Sequence, residues 1–182
     1  VALGSTFIRL TNDIALSDAL NLSDKVLTLD LNGYVLTDNI MVADNSASPQ
    51  SILTLIDSRP TATHKDSSMP SGGVLKGNIT LTRGSYGSAS HLYANGGTVT
   101  GQVSMPSYVG GIYCTGSTPT VFQGYVGNYG EIHGGIFYGN INEGCIKEKT
   151  VTFMNGSNRY ALEVVASGSK VIEPIAPSVK NG

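Results

Sequence analysis

The sequence predicts an all-β protein of stacked parallel strands, a parallel β-helix. Three observations predict this fold: a short phrase with apolar residues at alternate positions, its recurrence along the chain, and the glycine within it. Apolar residues at every second position are typical of a strand. Recurrence at roughly 20 residues is typical of repeat proteins, in which each unit packs on its neighbour, and predicts about six or seven turns of the chain.

The recurring phrase is eight residues long and occurs five times. Its sixth position is Gly in four copies, and its fourth and eighth positions are always apolar. The copies occupy residues 33–40, 72–79, 96–103, 119–126 and 134–141. A further strand-like run at 51–56 divides the longest interval near its middle. The last interval is short for one turn of the chain, so either that repeat is trimmed or one copy is out of register.

The apolar positions of the stacked copies should form two continuous columns inside the protein. The fourth position contributes Leu36, Leu75, Val99, Phe122 and Phe137, and the eighth contributes Ile40, Ile79, Val103, Val126 and Ile141. The intervening Gly would let the chain bend at a corner or let two backbones approach closely. Leucine-rich repeats have a similar period but need a ladder of Leu and Asn at fixed offsets, which this chain lacks.

The segments outside the phrase have different patterns. The run 7–10 predicts a first strand, and Ser17–Leu20 predicts a short helical turn in a polar cap over the first repeat. Residues 25–31 alternate cleanly and predict another strand. The polar segment 58–71 contains two prolines and predicts a protruding loop. A plain solvated insertion is the favoured interpretation of this loop, and a binding loop is the alternative.

Composition limits the classes of protein. The chain has 182 residues, a formal net charge of −2 and 13% charged residues, so nothing favours a nucleic-acid or anionic-membrane partner. The sequence contains no apolar run of about 18 residues, which predicts no transmembrane helix. It begins with Val1 and shows no signal peptide, so we interpret it as a mature or excised segment. Cys114 and Cys145 are too few for a disulfide framework or a zinc site; core packing is favoured, and a single disulfide is the alternative.

The repeat region is similar to a known family. Residues 27–33, followed by the Gly-Gly-x-apolar-x-Gly-x-apolar copies, resemble the right-handed parallel β-helix of pectate-lyase-like proteins. More narrowly, they resemble the β-helical modules of large surface proteins from gut Firmicutes. The resemblance covers roughly residues 5–147.

The C-terminal region has a second resemblance. Glycine becomes rare after Lys147, and residues 151–153 with Gly168, Pro174 and Pro177 are similar to the start of a Listeria–Bacteroides repeat. That repeat is a β-grasp-like module of internalin-type surface proteins, and it usually continues into a strand with Gly-Trp, whereas this chain has no Trp. The two resemblances imply a β-helix at 1–147 and the start of such a repeat, or a linker, at 148–182. They also imply an extracellular protein attached to the cell surface through parts outside this chain.

The signals for catalysis are sparse. Polygalacturonases of the resembled family carry clustered Asp and a Gly-His-Gly, and pectate lyases carry a carboxylate cradle for Ca²⁺; neither pattern is present. Within 72–144 the only acidic residues are Glu131 and Glu143. Because His133 lies two positions after Glu131 in a strand, both side chains should share one face. Glu131 and His133 are therefore the catalytic candidates, although solvent-facing roles are favoured, and we predict no metal site and no cofactor.

Tyrosines give the sequence its candidate binding surface. Tyr93, Tyr113 and Tyr138, together with Tyr125, are expected to point outward on a flat face, where their rings could lie against sugar rings. The alternative, which is favoured, is that these tyrosines shield the sheet as ordinary surface residues.

The sequence therefore predicts a non-enzymatic, extracellular surface module for adhesion or carbohydrate binding. Its expected partner is a polysaccharide or a host surface glycan. We expect no nucleic-acid partner, no membrane insertion and a monomeric state. The alternatives are a polysaccharide lyase or glycoside hydrolase acting on acidic glycans, and a structural spacer.

Overall fold

The computed structural model describes residues 5–43, 50–82, 89–106 and 110–175. Within these ranges the protein is all-β, with nineteen strands and one short 3₁₀ helix, Glu143–Cys145. The strands are β1 Thr6–Arg9, β2 Ile14–Ala15, β3 Leu20–Ser23, β4 Val26–Asp30, β5 Val35–Thr37, β6 Ile40–Ala43, β7 Ile52–Ile56, β8 Val74–Leu75, β9 Ile79–Thr82, β10 Ser90–Asn95, β11 Thr98–Val99, β12 Val103–Met105, β13 Gly110–Tyr113, β14 Val121–Phe122, β15 Val126–Asn128, β16 Glu131–Ile132, β17 Gly135–Phe137, β18 Lys149–Asn155 and β19 Asn158–Val165.

The strands are distributed over three sheets in strict rotation. Sheet A contains β1, β4, β7, β10, β13 and β16; sheet C contains β3, β6, β9, β12 and β15. Sheet B contains β2, β5, β8, β11, β14 and β17, followed by β19 and β18. Pairing between the strands of successive repeats is parallel throughout the described chain. Three consecutive strands therefore form one repeat, and this topology is compatible with a β-helix or solenoid.

The two predicted apolar columns are confirmed. In sheet B, Leu36 pairs with Leu75, and the column continues through Val99, Phe122 and Phe137. In sheet C, the partners run in register through Ile40, Ile79, Val103, Val126 and Ile141. The rings of Phe122 and Phe137 stack with centroids 5.0 Å apart. Successive repeats are thus aligned so that equivalent positions of the phrase pair with each other.

The core lies between the three sheets. Sheet A adds a third inward column with Leu53, Leu92, Ile112 and Ile132, and all three columns belong to one hydrophobic cluster. Most of these side chains are fully buried. Burial of one Leu, Ile or Phe side chain contributes about 1.5–3 kcal/mol, so the columns supply most of the favourable free energy of folding.

Glycine at the sixth position of the phrase lets neighbouring repeats touch at the corner between sheets B and C. A Cβ on Gly101 would collide with the carbonyl of Gly77, and one on Gly124 would collide with the carbonyl of Gly101. The same holds for Gly77 against Asp38 and for Gly139 against Gly124. Close approach of backbones therefore explains the glycine at this position.

The seventh position of the phrase ties one repeat to the next. The side-chain oxygen of Asn39 accepts a hydrogen bond from the backbone N–H of Asn78 at 2.9 Å. In turn, the side-chain oxygen of Asn78 accepts one from the N–H of Gln102 at 2.8 Å. Each bond joins equivalent positions of adjacent repeats, so it reinforces the register that the apolar columns set.

The short interval before the last copy reflects a trimmed repeat. Val121 pairs with Ile136, so the last two copies are in register and the out-of-register alternative is wrong. The chain turns tightly between β15 and β16, where Asn128 and Gly130 have φ of +87° and +88°. Such angles suit Gly and Asn, and they allow a corner with few residues.

The predicted helical turn at Ser17–Leu20 is wrong. Leu20 begins β3 and pairs with Ile40, and Leu22 pairs with Val42. These apolar side chains extend the sheet C column, and this tertiary packing overrides the local preference for a turn. Ile8 in β1 pairs with the inward Leu29 yet is 42% exposed, so the first repeat is not covered by a cap within the described residues.

The region after Lys147 forms an antiparallel hairpin. β18 pairs with β19, and β19 pairs with β17, so the hairpin extends sheet B at its last repeat. The identification of 148–182 with the start of a β-grasp-like repeat stays a prediction, and Pro177 lies outside the described residues. No helix in the described chain is long and apolar enough to span a bilayer.

Replacing Gly101 by Ala should lower the free energy of unfolding by about 1–3 kcal/mol, because the new methyl group meets the Gly77 carbonyl. The measurement is urea unfolding followed by circular dichroism. The matched control is Gly144→Ala, whose Cβ would meet only the side-chain oxygen of Asn142, at 3.3 Å. Equal stability of the two variants would contradict the explanation given for the glycine.

Candidate functional site

The structure divides the predicted site residues between two outer faces. Tyr93, Tyr113, Glu131 and His133 lie on the outer face of sheet A, where their positions are in register. Tyr138 follows β17 and lies on the outer face of sheet B. The three tyrosines predicted to bind a ligand therefore do not form one surface.

Aromatic rings on sheet A stack on each other. We use the name aromatic ladder for Tyr93, Tyr113 and His133. The ring centroids of Tyr93 and Tyr113 are 5.6 Å apart, and those of Tyr113 and His133 are 4.7 Å apart with the planes 8° from parallel. His91 meets Tyr113 edge-on at 5.4 Å. Tyr113 therefore has one face stacked on His133 and the other beside the tilted ring of Tyr93, and this arrangement disfavours a sugar ring against either face.

The environment of Tyr113 also changes its acidity. Burial raises the pKa of Tyr113, and the nearby carboxylate of Glu131 and the ring of Tyr93 raise it further. The phenol is therefore neutral at physiological pH and offers a hydrogen-bond donor. The ladder presents ring edges and polar atoms to solvent, and this favours a shielding role for Tyr93 and Tyr113.

Two carboxylates flank the imidazole of His133. Its Nε2 lies 3.2 Å from Oε2 of Glu131, and its Nδ1 lies 3.3 Å from Oε1 of Glu148. Lys147 Nζ lies 3.9 Å from the second oxygen of Glu131. A carboxylate beside each ring nitrogen orients the imidazole, as a general acid or base requires.

The sequence reasoning missed Glu148. Glu148 stands at the start of the segment assigned to the appendage, yet a parallel bridge between Ile132 and Ile146 brings this stretch beside β16. The available signal in the sequence was the apolar residue Ile146, which continues the inner column of sheet A and so places Glu148 near His133. Glu143, by contrast, pairs with Arg159 at 3.4 Å and makes no described contact with Glu131. No group of three or more His, Cys, Asp or Glu in the described ranges could hold a metal ion.

The outer face of sheet B carries a groove. This sheet B groove has a volume of about 630 Å³, and its floor consists of outward side chains from β11, β14, β17 and the positions that follow them. The floor residues are Thr98, Val121, Gln123, Ile136 and Tyr138. Its walls come from the insertion 58–71, from residues 117–119 and from residues 172–175.

Two aspartates hold the insertion that forms one wall. Asp57 accepts hydrogen bonds from the backbone N–H of Gly33 at 2.7 Å, of Arg59 at 3.1 Å and of Gly73 at 2.6 Å. One carboxylate therefore joins both ends of the insertion to the preceding repeat. The insertion is thus a closed loop with fixed ends.

Asp30 anchors the start of the insertion from the repeat below. Its fully buried carboxylate accepts hydrogen bonds from Arg9 Nε at 2.7 Å, from Asn32 N–H at 2.9 Å and from Ser58 N–H at 3.0 Å, and it also binds the Ser58 hydroxyl. Burial alone would raise the pKa of Asp30, but these hydrogen bonds outweigh it and lower the pKa.

The opposite wall of the groove is held by Glu163 and Tyr138. The Tyr138 hydroxyl donates to the carbonyl of Ile175 at 2.7 Å, and the backbone N–H of Ile172 lies 3.0 and 3.1 Å from the two carboxylate oxygens of Glu163. Glu163 is 3% exposed, and burial raises its pKa. Pro174 is buried between these contacts. Residues 172–175 therefore lie as a strap along the face of sheet B.

The two cysteines do not pair. Cys145 is buried in the hydrophobic core, as the favoured interpretation predicted, whereas Cys114 is half-buried. Cys114 lines a smaller cavity of about 420 Å³ that adjoins the strap and also contains Glu163. Burial raises the pKa of both thiols, so both are protonated at neutral pH.

Comparison of the chain with protein-family models, curated proteins and solved structures gave no match. The geometry of the two faces is therefore the basis for a functional assignment. Sheet A offers a self-stacked ladder with a His between two carboxylates. Sheet B offers a concave groove with an aromatic floor, and clefts of this kind bury a ligand better than a flat face does.

Asp30→Asn should lower the free energy of unfolding at pH 7 by about 1–3 kcal/mol, because the charged hydrogen bonds from Arg9 and Ser58 weaken. Since the folded pKa is below the unfolded value of about 3.9, the carboxylate stabilises the fold above that pH. That contribution is lost as the pH falls through the folded pKa.

The variant should therefore lose less stability than the native chain when the pH falls below about 4. The measurement is thermal unfolding at a series of pH values. Asp18→Asn, which changes an exposed carboxylate, is the control. An unchanged pH profile in Asp30→Asn would contradict the role given to Asp30.

Proposed function

We propose that this chain is a non-enzymatic carbohydrate-binding module and that its glycan ligand lies in the sheet B groove. One observation carries the proposal: aromatic, aliphatic and polar side chains line the same groove. Tyr138 and Ile136 supply the apolar part, while Gln123, Thr98 and Ser117 supply amide and hydroxyl groups. Sugars present C–H faces and hydroxyls together, and such mixed surfaces match both.

The volume of the groove fits this role. Pockets for small ligands occupy roughly 300–1,000 Å³, and the sheet B groove, at about 630 Å³, lies within that range. Both of its charged lining residues, Asp57 and Glu173, are acidic, and the exposed carboxylate of Glu173 disfavours an acidic ligand. The proposed ligand is therefore a neutral polysaccharide or a neutral part of a host surface glycan.

The proposal includes the finer description of the fold. The three sheets wind as a right-handed parallel β-helix of the pectate-lyase-like kind, within an extracellular, cell-surface protein that serves in adhesion. The rotation of strands among the sheets and the single core between them support the winding. The surface location is proposed from the resemblance of the repeat phrases and of residues 151–174 to bacterial surface modules.

Tyr138→Ala should weaken binding to a neutral glycan by about tenfold or more, because the ring forms part of the groove floor. A glycan array identifies the ligand, and isothermal titration calorimetry measures its affinity. Tyr138→Phe is the matched variant, since it keeps the ring and removes only the hydrogen bond to Ile175. Phe should retain most of the affinity if the ring is the contact.

Tyr93→Ala, on the opposite face, is the control for this experiment and should bind as the native chain does. An array without any bound glycan would overturn the proposal and favour the structural spacer. Loss of binding in Tyr93→Ala with retention in Tyr138→Ala would move the site to the aromatic ladder.

The flanked imidazole favours one alternative function, a polysaccharide lyase or glycoside hydrolase acting on acidic glycans. Glu148 orients His133, and Glu131 lies at its other nitrogen, so a proton can be held at Nε2 beside a bound substrate. However, neither the sheet B groove nor the cavity at Cys114 includes Glu131 or His133. Glu131 and His133 thus lie outside both cavities, whereas such an enzyme needs a chain-binding cleft at its catalytic groups.

Under the leading proposal, the native chain should release no product from polygalacturonate or other acidic polysaccharides. The measurement is a reducing-end assay together with an assay for unsaturated ends. Product that disappears in both Glu131→Gln and His133→Gln, but persists in Tyr138→Phe, would establish the enzymatic alternative.

A further inference from the structure

The insertion 58–71 forms a second cleft on its other side, over the N-terminal strands of sheet B. We use the name basic cleft for this cavity, which has a volume of about 650 Å³. Its acidic and basic lining residues are Asp13, Arg59, His64, Lys65, Asp66 and Lys76. The chain as a whole carries a net charge of −2, so three Lys or Arg residues in one cleft are a local reversal of sign.

The acidic residues of the basic cleft are already bound to the protein. Asp66 accepts hydrogen bonds from the backbone N–H of Ser68 at 2.9 Å and from its hydroxyl at 2.6 Å. The Ser68 hydrogen bonds, with smaller effects from the charges of Lys76 and His64, lower the pKa of Asp66. Asp13 accepts a hydrogen bond from the N–H of Val35 at 2.9 Å.

The basic residues have no comparable partners. Arg59, Lys65 and Lys76 form no ion pair within 4 Å with any acidic residue of the described chain. The guanidinium of Arg59 lies over the ring of Tyr34 at 5.7 Å, a cation–π contact that positions its N–H groups in the cleft. The basic cleft therefore contains three positive charges and two carboxylates, and both carboxylates already accept hydrogen bonds from other groups of the protein.

The parts of the cleft are fixed by different elements. Lys76 follows β8, so its position is set by the register of sheet B. Arg59 and Lys65 belong to the insertion, whose ends are joined by Asp57. His64 lies 2.7 Å from the carbonyl of Gly72 through Nε2, and this contact fixes the ring against the returning end of the insertion. The convergence of these cations thus depends on the closed insertion.

We propose that the basic cleft is a binding site for an oxyanion, which is a carboxylate, sulfate or phosphate group carried by a ligand. Arg59 supplies the planar fork of N–H donors that matches such groups, and Lys65 and Lys76 supply point charges. The site is separate from the sheet B groove, where the acidic lining favours a neutral ligand. It assigns the insertion a binding role, which its sequence left open.

The test measures binding of four probes by the full chain: dextran sulfate, polygalacturonate, inorganic phosphate and, as the uncharged reference, dextran. At least one anionic probe should bind, and its affinity should fall as sodium chloride is raised from about 50 to 500 mM. Dextran should show no binding that depends on the basic cleft. The anion that binds best identifies the source of the oxyanion.

The double variant Lys65→Ala/Lys76→Ala should weaken that binding by about tenfold, and Arg59→Ala should weaken it to a similar extent. The matched control is Lys25→Ala/Lys149→Ala, which removes the same net charge from exposed positions outside the cleft and should change affinity by less than about twofold. Thermal unfolding of each variant checks that the fold is retained.

Two results would overturn the proposal. One is the absence of binding for all three anionic probes at low salt. The other is an equal loss of affinity in the cleft variant and the control variant, which would show that net charge alone attracts the anion. Neither result bears on neutral-glycan binding in the sheet B groove, because that site is tested by Tyr138→Ala with an uncharged ligand.

Discussion

Parallel register between successive repeats is the constraint on which the structure depends. Strand side chains alternate between faces, so a slip of one residue would turn an entire inner column toward solvent. The column from Leu36 to Phe137 stays buried only because each repeat lies directly on the one before it. The glycine corner at Gly101 permits the backbone contact, and the side chain of Asn78 hydrogen-bonds the equivalent position of the next repeat. Apolar burial provides the stability, while these polar and steric details select one register.

This constraint leaves little freedom within the repeats, and irregular segments of the described chain lie outside them. Two such segments are the insertion 58–71 and the strap at 172–175. Both lie on the outer face of sheet B, where they form the walls of the sheet B groove. The carboxylate of Asp57 holds the insertion, and the carboxylate of Glu163 holds the strap. Each carboxylate accepts hydrogen bonds from backbone N–H groups, so the position of each wall is fixed through its main chain. A rigid repeat surface with added loops is a common way to build a binding site.

The sequence was sufficient for the inner columns because their alternation and recurrence reflect the same burial. It was insufficient for the sites, since alternation shows that a side chain points outward but not on which of three sheets. Tyr138 was therefore grouped with Tyr93, although they lie on different faces. Glu148 was missed because no copy of the phrase marks its segment. Its contact with His133 depends on the trimmed last repeat and on a single isolated β-bridge between Ile132 and Ile146.

The stacking of equivalent residues also determines which aromatic side chains can bind a ligand. Adjacent strands lie about 4.8 Å apart, close to the separation of stacked rings. Aromatics at equivalent positions of successive repeats therefore cover each other, as Tyr113 and His133 do at 4.7 Å. An aromatic residue without an aromatic neighbour in its column has no second ring stacked on it. Phe137 pairs with Phe122, so the residues that follow them, Tyr138 and Gln123, are neighbours on the outer face. The neighbour of the Tyr138 ring in this column is therefore the amide side chain of Gln123. In a protein of this architecture, the isolated ring is therefore a better candidate for sugar contact than the ladder, even though the ladder is the more evident pattern in the sequence.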